Sequence, residues 1–450
     1  MSEKSPFLVA SVAAAGLGMV MYDNTAVTVA LPAIRDAFHA DTSSLQWMLN
    51  GLSLMTGSML PFSGALGDRF GPKRTFRAGI LLFAAAALMG SFSTSIGMLI
   101  AFRVLQGFGG ALLLPNSTAL LNANVTPESR NHAVGLWISI SATGLIIGPL
   151  GGGLLISHFG WRAALYGHTV IALFGAWRIR KLDDGPRREN SLDFPGIITA
   201  SLTALTLCAG LIQFGRLHAN YPLATALLVT GLLLGYLFYR IEHKVEHPLV
   251  DPAWLTDVRT RGVLLACAIY NGTIAASTFL ISVMSQDSRH LTPFQGGIVV
   301  WMSCVLMPVG SRISGKIKTV PDLRKIMLRG SIALTIGYIL IAAISQGPFL
   351  LMLLTLSIAG FCAGLLFSGD TIAILNILEP AKASSGLATL SLVRQIGAVF
   401  GIALLGSASE LFGRATNVND GKSLAIALAG GVTLSCFFLL KKALTATVHD

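Results

Sequence analysis

The chain has 450 residues, of which 53% are apolar and only 12% are charged. One soluble core cannot bury that much apolar surface, and apolar runs of about 20 residues, the length that crosses a bilayer as a helix, recur along the chain. The composition therefore excludes an ordinary soluble protein. It predicts an all-α integral membrane protein with many spans.

Fourteen apolar stretches are long enough to be membrane-spanning helices, with ends placed to within a few residues. In chain order they lie near residues 8–32, 45–66, 75–95, 97–122, 132–157, 161–179, 192–213, 221–241, 261–284, 293–313, 326–346, 348–377, 384–410 and 423–441. An even number of spans places both ends of the chain on the same side of the membrane.

The positions of the basic residues explain the net charge of +11. With a cytoplasmic N-terminus, Arg103 and Arg394 lie within spans and most of the other Lys and Arg lie in cytoplasmic segments. The outer loops contain six of the 32 basic residues: Arg35, Arg162, Arg216, Arg289, Arg414 and Lys422. This bias follows the positive-inside rule. It predicts cytoplasmic N- and C-termini and gives no reason to expect nucleic acid as a partner.

The fourth and fifth spans hold unusual residues. Arg103 lies deep in an apolar run, where a charge costs at least about 2.5 kcal/mol, so it should face protein or trapped water. The fifth span is rich in small residues and contains a proline, in a set we treat as one motif: Gly135, Gly144, Gly148, Pro149, Gly152 and Gly153. Glycines four apart let another helix approach closely, and a proline adds a place to bend.

The chain resembles itself at an offset of about 253 residues, which superposes Gly144 on Gly397 and Gly148 on Gly401. Two six-helix halves with two inserted helices between them are implied. We therefore predict an N-terminal half over residues 1–182, linkers and the inserted helices over 183–258, and a C-terminal half over 259–450. Parallel halves of this kind occur in transporters.

Four motifs lie in chain order in the first half. They are Asp23-Asn24-Thr25-Ala26-Val27-Thr28-Val29-Ala30-Leu31-Pro32, Gly64-Ala65-Leu66-Gly67-Asp68-Arg69-Phe70-Gly71-Pro72-Lys73-Arg74, Arg103-x-x-Gln106-Gly107-x-Gly109-Gly110-Ala111, and the glycine and proline motif of the fifth span. This set resembles the major facilitator superfamily, and in particular its fourteen-spanner drug:proton antiporters. The chain differs in having Thr28 where that family usually has Asn.

The resemblance implies a major facilitator fold and a role for the loop after the second span. A carboxylate at a helix end can pair with an arginine or cap a helix, and so latch one half against the other. We assign this latch to five residues: Gly67, Asp68, Arg69, Gly71 and Arg74. The alternative is a solvated turn whose basic residues only fix topology.

Asp23 is the first candidate for proton coupling, with Arg103 as its modulator. A carboxylate in the middle of a span is expensive when ionised and tolerable when neutral, so it can accept a proton from the acidic side and release it to the cytoplasm. The alternatives are a permanent pair with Arg103 or hydrogen bonds from Asn24 and Thr25. His168, within the sixth span, either joins a proton relay or is a hydrogen-bonded packing residue, and the second interpretation is the simpler one.

Asp370 is the second acidic residue inside a span. At the internal offset it corresponds to Ser117, so a central substrate cavity is expected to include Asp370, Asn116, Ser117, Gln106 and Arg394. The carboxylate could attract a cationic compound, carry a second proton, or pair with Arg394 of the next span.

We expect a proton-driven antiporter that exports amphipathic, cationic or neutral organic compounds, as in multidrug efflux. The alternatives are a dedicated exporter of one metabolite or antibiotic, and a membrane receptor or sensor on the same fold.

No ATP-binding loop or catalytic cluster is evident in the sequence, so the expectation is a transporter, not an enzyme, with no cofactor or metal and with protons as the coupling ion. The resemblance places it in a bacterial inner membrane, and we expect a monomer in contact with lipid.

Overall fold

The computed structural model describes residues 5–126, 129–185, 194–215, 219–245, 252–317, 319–345, 347–379, 383–415 and 418–445. Helices make up almost all of this part of the chain. They are α1 (Pro6–Phe38), α2 (Thr42–Phe70), α3 (Pro72–Ser91), α4 (Ile96–Asn124), α5 (Arg130–Phe159), α6 (Ala163–Arg178), α7 (Phe194–Gly215), α8 (Tyr221–Glu242), α9 (Pro252–Thr256), α10 (Val258–Arg289), α11 (Pro293–Val305), α12 (Met307–Gly315), α13 (Val320–Ala343), α14 (Phe349–Ile377), α15 (Ala383–Ala415) and α16 (Val418–Ala443).

Short polar side chains begin several of these helices. Asp41 accepts a hydrogen bond from the backbone of Ser44 before α2, and Ser95 accepts one from Met98 before α4. Asp257 does the same for α10. Each satisfies a backbone N–H that has no partner within the first turn of the helix, and so stabilises the start of the helix at that position.

Each of the fourteen predicted stretches overlaps a helix, with one correction. The stretch near 293–313 is two helices, α11 and α12, separated by a turn at Leu306. Pro308 lies in the first turn of α12, where its missing N–H removes no helical hydrogen bond. The sequence signal for apolar length is continuous across this position, so it does not reveal the break.

Eleven helical stretches in the described chain are long and apolar enough to cross a membrane, with α11 and α12 together (Pro293–Gly315) counted as one of them. Three of the predicted spans are not among them, those of α2, α3 and α6. α6 has only 16 residues, and α3 begins with the basic residues Lys73, Arg74 and Arg77. The structure therefore supports a polytopic helical membrane protein, while the number fourteen and the cytoplasmic termini stay predictions.

The described residues divide into two compact units. The first comprises residues 1–197 with 291–298. Within it α1 packs mainly on α5. Both α2 and α3 pack on α4, and α3 also packs on α6. Its buried apolar core is built largely from α1, α3 and α4, and includes Met19, Phe76 and Leu113.

The second unit comprises residues 198–290 with 299–450. In it α10 packs on α15. Both α12 and α13 pack on α14, and α13 also packs on α16. This is the same set of helix pairs as in the first unit, shifted along the chain. The Ser407 hydroxyl of α15 donates to the Leu211 carbonyl of α7, so the inserted helices lie in this unit. The predicted three-part division at 182 and 258 stays a prediction.

Candidate functional site

Asp23 lies midway along α1 and is completely buried. Its Oδ1 accepts a hydrogen bond of 2.7 Å from Arg103 Nη1 and another of 2.8 Å from Gln106 Nε2. Arg103 and Gln106 are three residues apart on α4, one turn of a helix, so they face α1 together. The ion pair of Asp23 with Arg103, which the sequence left as an alternative to proton coupling, is thus present, and the coupling role stays a prediction.

Arg103 makes two hydrogen bonds besides the one to Asp23, one to α2 and one within its own helix α4. Its Nε donates to the backbone carbonyl of Met48 on α2 at 3.2 Å, and its Nη1 also donates to Gln106 Oε1 at 2.8 Å. The side chain is only 2% exposed. A buried guanidinium is tolerable because its charge faces a carboxylate and its N–H groups are bonded.

His168 of α6 completes this cluster. Its Nε2 lies 2.9 Å from Asp23 Oδ1, and its Nδ1 lies 2.9 Å from the Leu165 carbonyl oxygen of the preceding turn. The ring packs edge-on against Tyr22 and at a tilt against Phe83. The packing interpretation of His168 was therefore incomplete, since the ring also faces the candidate proton carrier.

Two buried polar atoms of the cluster have no hydrogen bond within the described chain: Asp23 Oδ2 and His168 Nε2. The hydroxyl of Thr25 bonds the carbonyls of Met21 and Tyr22 instead of the carboxylate, so the alternative in which Thr25 holds Asp23 is not the arrangement in the structure. Buried polar atoms without partners are unusual, and each needs an explanation. Here they leave positions where a proton can be held.

The glycines of α5 bring that helix against the same part of α1. Gly144 faces the backbone of Gly18, and a methyl group on Gly148 would lie 2.9 Å from the Tyr22 carbonyl oxygen. Gly152 faces Ala26, so three small residues at intervals of four follow one side of α1 past Asp23.

The remaining residues of the α5 motif have different surroundings. Gly153 lies close to Pro293 at the start of α11, and a methyl group there would be 2.8 Å from its carbonyl oxygen. Pro149 lies inside α5 without ending the helix. Gly135 has no neighbour in reach of a methyl group. The antiporter-type motif therefore packs closely on neighbouring helices at four of its positions. Gly144, Gly148 and Gly152 form a seam with α1, and Gly153 contacts α11.

The loop between α2 and α3 is tied to the segment that follows α6. Gly71 has a positive φ of 95°, which favours glycine, and the Asp184 carboxylate lies against it. Asp184 accepts from the backbone N–H of Lys73 at 3.1 Å and lies 3.9 Å from Arg74 Nε. Asp184 thus caps α3, a role that no local sequence pattern identified.

The other predicted latch residues lie on the last turn of α2. Gly67 is buried against the side chain of Asn116, Asp68 is half-buried, and Arg69 is exposed. A bulkier residue at position 67 would collide with Asn116 of α4. The latch itself stays a prediction.

Asp370 of α14 and Arg394 of α15 form a second ion pair, in which the carboxylate is buried and the arginine is 17% exposed. Arg394 Nη2 lies 2.5 Å from Asp370 Oδ1 and also donates to the Phe367 carbonyl and the Thr371 hydroxyl, both at 2.8 Å. The Tyr270 hydroxyl of α10 donates to Asp370 Oδ2 at 2.5 Å. Tyr270 was missed because it has no charge to mark it within an apolar helix.

The guanidinium of Arg394 also lies 3.8 Å above the centre of the Phe367 ring, a cation–π contact. Both oxygens of Asp370 therefore have donors. Of the three roles considered for this carboxylate, the pair with Arg394 is the one present in the structure.

Asn116 and Ser117 lie within the packing of the first unit. Asn116 Nδ2 donates to the hydroxyl and carbonyl oxygens of Ser63 on α2, and the Ser117 hydroxyl donates to the Leu114 carbonyl. Gln106 belongs to the cluster around Asp23. Their assignment to a substrate cavity, with that of Asp370 and Arg394, stays a prediction.

Within the described residues no group of three or more His, Cys, Asp or Glu is arranged to hold a metal ion. The five cysteines are buried and free.

Comparison with known proteins adds independent information. A family model described as Major Facilitator Superfamily matches residues 13–402. The drug efflux pump JefA of Mycobacterium tuberculosis is 30% identical over 412 residues, covering 88% of this chain and 79% of that protein. The methylenomycin A resistance protein of Streptomyces coelicolor is 29% identical over 402 residues, covering 87% of this chain and 83% of that protein.

Solved structures agree on the fold. The inward-open xylose transporter XylE from E. coli has a TM-score of 0.69 at 14% identity and covers 99% of this chain and 98% of its own. The transporter PepTSo of the POT family has a TM-score of 0.70 at 12% identity, covering 99% of both chains. With this fold and a family match over most of its length, the chain belongs to the Major Facilitator Superfamily and is a multi-pass membrane transporter, not an enzyme.

Proposed function

We propose that this transporter is a proton-coupled antiporter of the fourteen-spanner drug:proton type that exports amphipathic organic compounds from a bacterial cell, acting as a monomer in the inner membrane. The observation that carries the proposal is the buried Asp23, with one oxygen bound to Arg103 and the other without a partner among the residues that the structure describes. The relatives named as an efflux pump and as resistance proteins support export.

Charge at this cluster provides a coupling mechanism. With Asp23 ionised, the carboxylate balances Arg103 and the pair is neutral. A proton on Asp23 leaves the positive charge of Arg103 uncompensated in a medium of low dielectric. A cationic cargo in the same transporter is therefore favoured by the unprotonated state and disfavoured by the protonated one. Proton and cargo exclude each other, which is the requirement for exchange.

The glycine seam links this charge change to the movement of helices. α5 touches α1 through Gly144, Gly148 and Gly152, on both sides of Asp23 along the helix. Backbones in such close contact cannot shift independently, because interiors are densely packed. We infer that protonation of Asp23 changes the α1–α5 contact and so biases alternating access.

Purified protein in liposomes tests the proposal with Asp23→Asn as the decisive variant. A panel of lipophilic cations is added, and proton movement and cation flux are recorded together. We expect coupled flux in the wild type and in Asp36→Asn, a matched change at an exposed carboxylate of the same helix. Asp23→Asn should lose the coupling. Proton-dependent transport that persists in Asp23→Asn would overturn the proposal.

A dedicated exporter of one antibiotic is the second candidate. It is favoured by the names of several relatives, each referring to a single compound, such as the puromycin resistance protein of Streptomyces alboniger, 28% identical over 429 residues. The same experiment separates the two candidates. Flux of several unrelated cations of the panel supports multidrug efflux. If no cation of the panel is transported but one antibiotic, added separately, shows proton-coupled flux, the dedicated exporter is supported. The absence of any flux would favour the sensor.

A further inference from the structure

We propose that the coupling proton is held jointly by Asp23 and His168, between α1 and α6, and not by the carboxylate alone. This inference rests on the proposed proton coupling at Asp23 and extends it to a second residue. It starts from the position of the imidazole, whose two nitrogens each face an oxygen at 2.9 Å.

The Leu165 carbonyl determines which nitrogen of His168 carries hydrogen. A carbonyl oxygen only accepts hydrogen bonds, so Nδ1, at 2.9 Å from it, must be the donor. In a neutral imidazole only one nitrogen bears hydrogen. Nε2 of the neutral ring is therefore a bare acceptor.

That bare nitrogen faces Asp23 Oδ1 at 2.9 Å. An ionised carboxylate oxygen is also only an acceptor, so a neutral ring and an ionised carboxylate would place two lone pairs against each other. The contact becomes favourable when one proton is added, either on Nε2 or on the carboxylate. The geometry therefore corresponds to the proton-loaded form of the pair.

The unpartnered atoms of the cluster point to the same conclusion. Within the described chain Asp23 Oδ2 is buried without a hydrogen bond, and His168 Nε2 has none unless a proton is added between it and Asp23 Oδ1. His168 is completely buried, so water at its surface does not satisfy Nε2. Two adjacent open positions, one on each residue, allow a proton to move over a short distance without leaving the cluster.

The surrounding groups make the pair sensitive to charge. Arg103 of α4 stays protonated and contributes one permanent positive charge. Gln106 is neutral, Tyr22 of α1 contributes a hydroxyl, and α3 contributes the apolar ring of Phe83. The unloaded cluster is neutral, and the loaded cluster carries one positive charge, shared between the imidazole and the guanidinium.

The imidazole distinguishes this cluster from the ion pair in the second unit. At Asp370 both oxygens accept hydrogen bonds, from Arg394 and Tyr270. A proton added to Asp370 would have to break one of these bonds. The pair of Asp23 and His168 gains a bond on loading, so it is the better proton carrier.

Nuclear magnetic resonance of the imidazole nitrogens tests the inference directly. The full-length protein is labelled with ¹⁵N-histidine, reconstituted in lipid and titrated with acid, and the His168 signal is identified by its loss in His168→Gln. We expect Nδ1 to remain protonated throughout and Nε2 to gain a proton as the pH falls, with an altered titration in Asp23→Asn. A neutral ring with hydrogen on Nε2 and a bare Nδ1 would overturn the inference.

A second comparison covers the case in which His168→Gln does not fold. The wild-type titration is then compared with that of Asp23→Asn, where the only histidine expected to change is the one beside this carboxylate. His158 is the internal control, because its Nδ1 also lies near a carbonyl of its own helix while its ring is exposed. Identical titrations of all histidines in both proteins would also overturn the inference.

Transport measurements separate this inference from the function it rests on. We expect His168→Gln to lower cargo-driven proton flux about tenfold or more, with His158→Gln unchanged. If Asp23→Asn loses coupling while His168→Gln keeps the wild-type rate and pH profile, the role of His168 fails and Asp23 stands. If Asp23→Asn keeps coupling, the proposed function itself fails.

Discussion

Two buried carboxylates in this chain have similar sequence contexts and different environments. Asp23 has one saturated oxygen and one without a partner, whereas Asp370 has donors at both oxygens. A proton can be added to Asp23 without breaking a bond that the structure shows. Under the proposed function, the number of donors around each carboxylate is what distinguishes Asp23 as the proton carrier.

The Asp370→Ala variant should lose stability and keep its proton coupling. Removing one member of a buried ion pair costs about 3–5 kcal/mol, because the remaining Arg394 is mostly buried without its partner. Tyr270→Phe removes one hydrogen bond to the same carboxylate and should cost only about 1.5–3 kcal/mol. Thermal unfolding in detergent gives the order of the losses, and the ratio of protons to cargo in liposomes gives the coupling. A changed ratio in Asp370→Ala would assign this carboxylate to the proton path.

Arg103 should be energetically coupled to Asp23. Arg103→Met leaves an ionised carboxylate buried and is expected to cost about 3–5 kcal/mol, whereas the double variant with Asp23→Leu should cost much less than the sum of the two single changes. Arg35→Met is the control, since the exposed pair of Arg35 with Asp36 is worth at most about 1 kcal/mol. Melting temperatures of the four proteins complete the cycle. Additive losses would show that the charges do not interact.

At this scale the sequence identified charges and missed their neutral partners. Asp23 and Arg103 could be predicted because a charge within an apolar span is rare and must face protein. His168 was considered for a proton relay but its contact with Asp23 was not predicted, and Tyr270 was not assigned to Asp370. Each lies far from its carboxylate in the chain, and side-chain contacts across helices follow no local spacing. The role of Asp184 was hidden for the same reason.

At the scale of helices, the seam between α1 and α5 explains the glycine spacing. Gly144, Gly148 and Gly152 face α1, while Gly135 of the same motif touches nothing within reach of a methyl group. The sequence predicted close approach by a neighbouring helix but not which helix approaches. It also missed the turn between α11 and α12, because apolar length does not reveal an interruption beside a proline.

The glycine seam predicts opposite results for one substitution at two places on α5. Gly148→Ala puts a methyl group against Thr25 and the Tyr22 carbonyl, so it should cost about 1–3 kcal/mol and slow transport. Gly135→Ala meets no neighbour and should be neutral or more stable by about 0.5–1 kcal/mol, because alanine favours the helix. Melting temperature and initial cation flux measure both. Equal effects at the two positions would show that the seam does not constrain α5.

For the whole molecule, the recurrence of packing pairs agrees with the sequence repeat. The seam of α1 with α5 has a counterpart in α10 with α15, where Gly397 and Gly401 approach the backbone near Gly272. These glycines are the ones that the offset aligned with Gly144 and Gly148. The order of helices was therefore predictable, since it is encoded in apolar length and small residues. The direction in which each helix crosses the membrane is predicted only by the distribution of Lys and Arg in the loops.

Labelling with a membrane-impermeant maleimide on intact cells tests that path at the inserted helices. The five native cysteines are buried, so the wild type should give almost no signal and is the matched control. Single cysteines replace exposed residues at Lys181 before α7, at Tyr221, the first residue of α8, and at Lys244 after α8. We expect Tyr221→Cys to react from outside, because fourteen spans with a cytoplasmic N-terminus put the start of α8 outside. Lys181→Cys and Lys244→Cys should react only after the membrane is permeabilised. If Tyr221→Cys also required permeabilisation, α7 and α8 would not each cross the membrane, and the fourteen-span topology would be wrong.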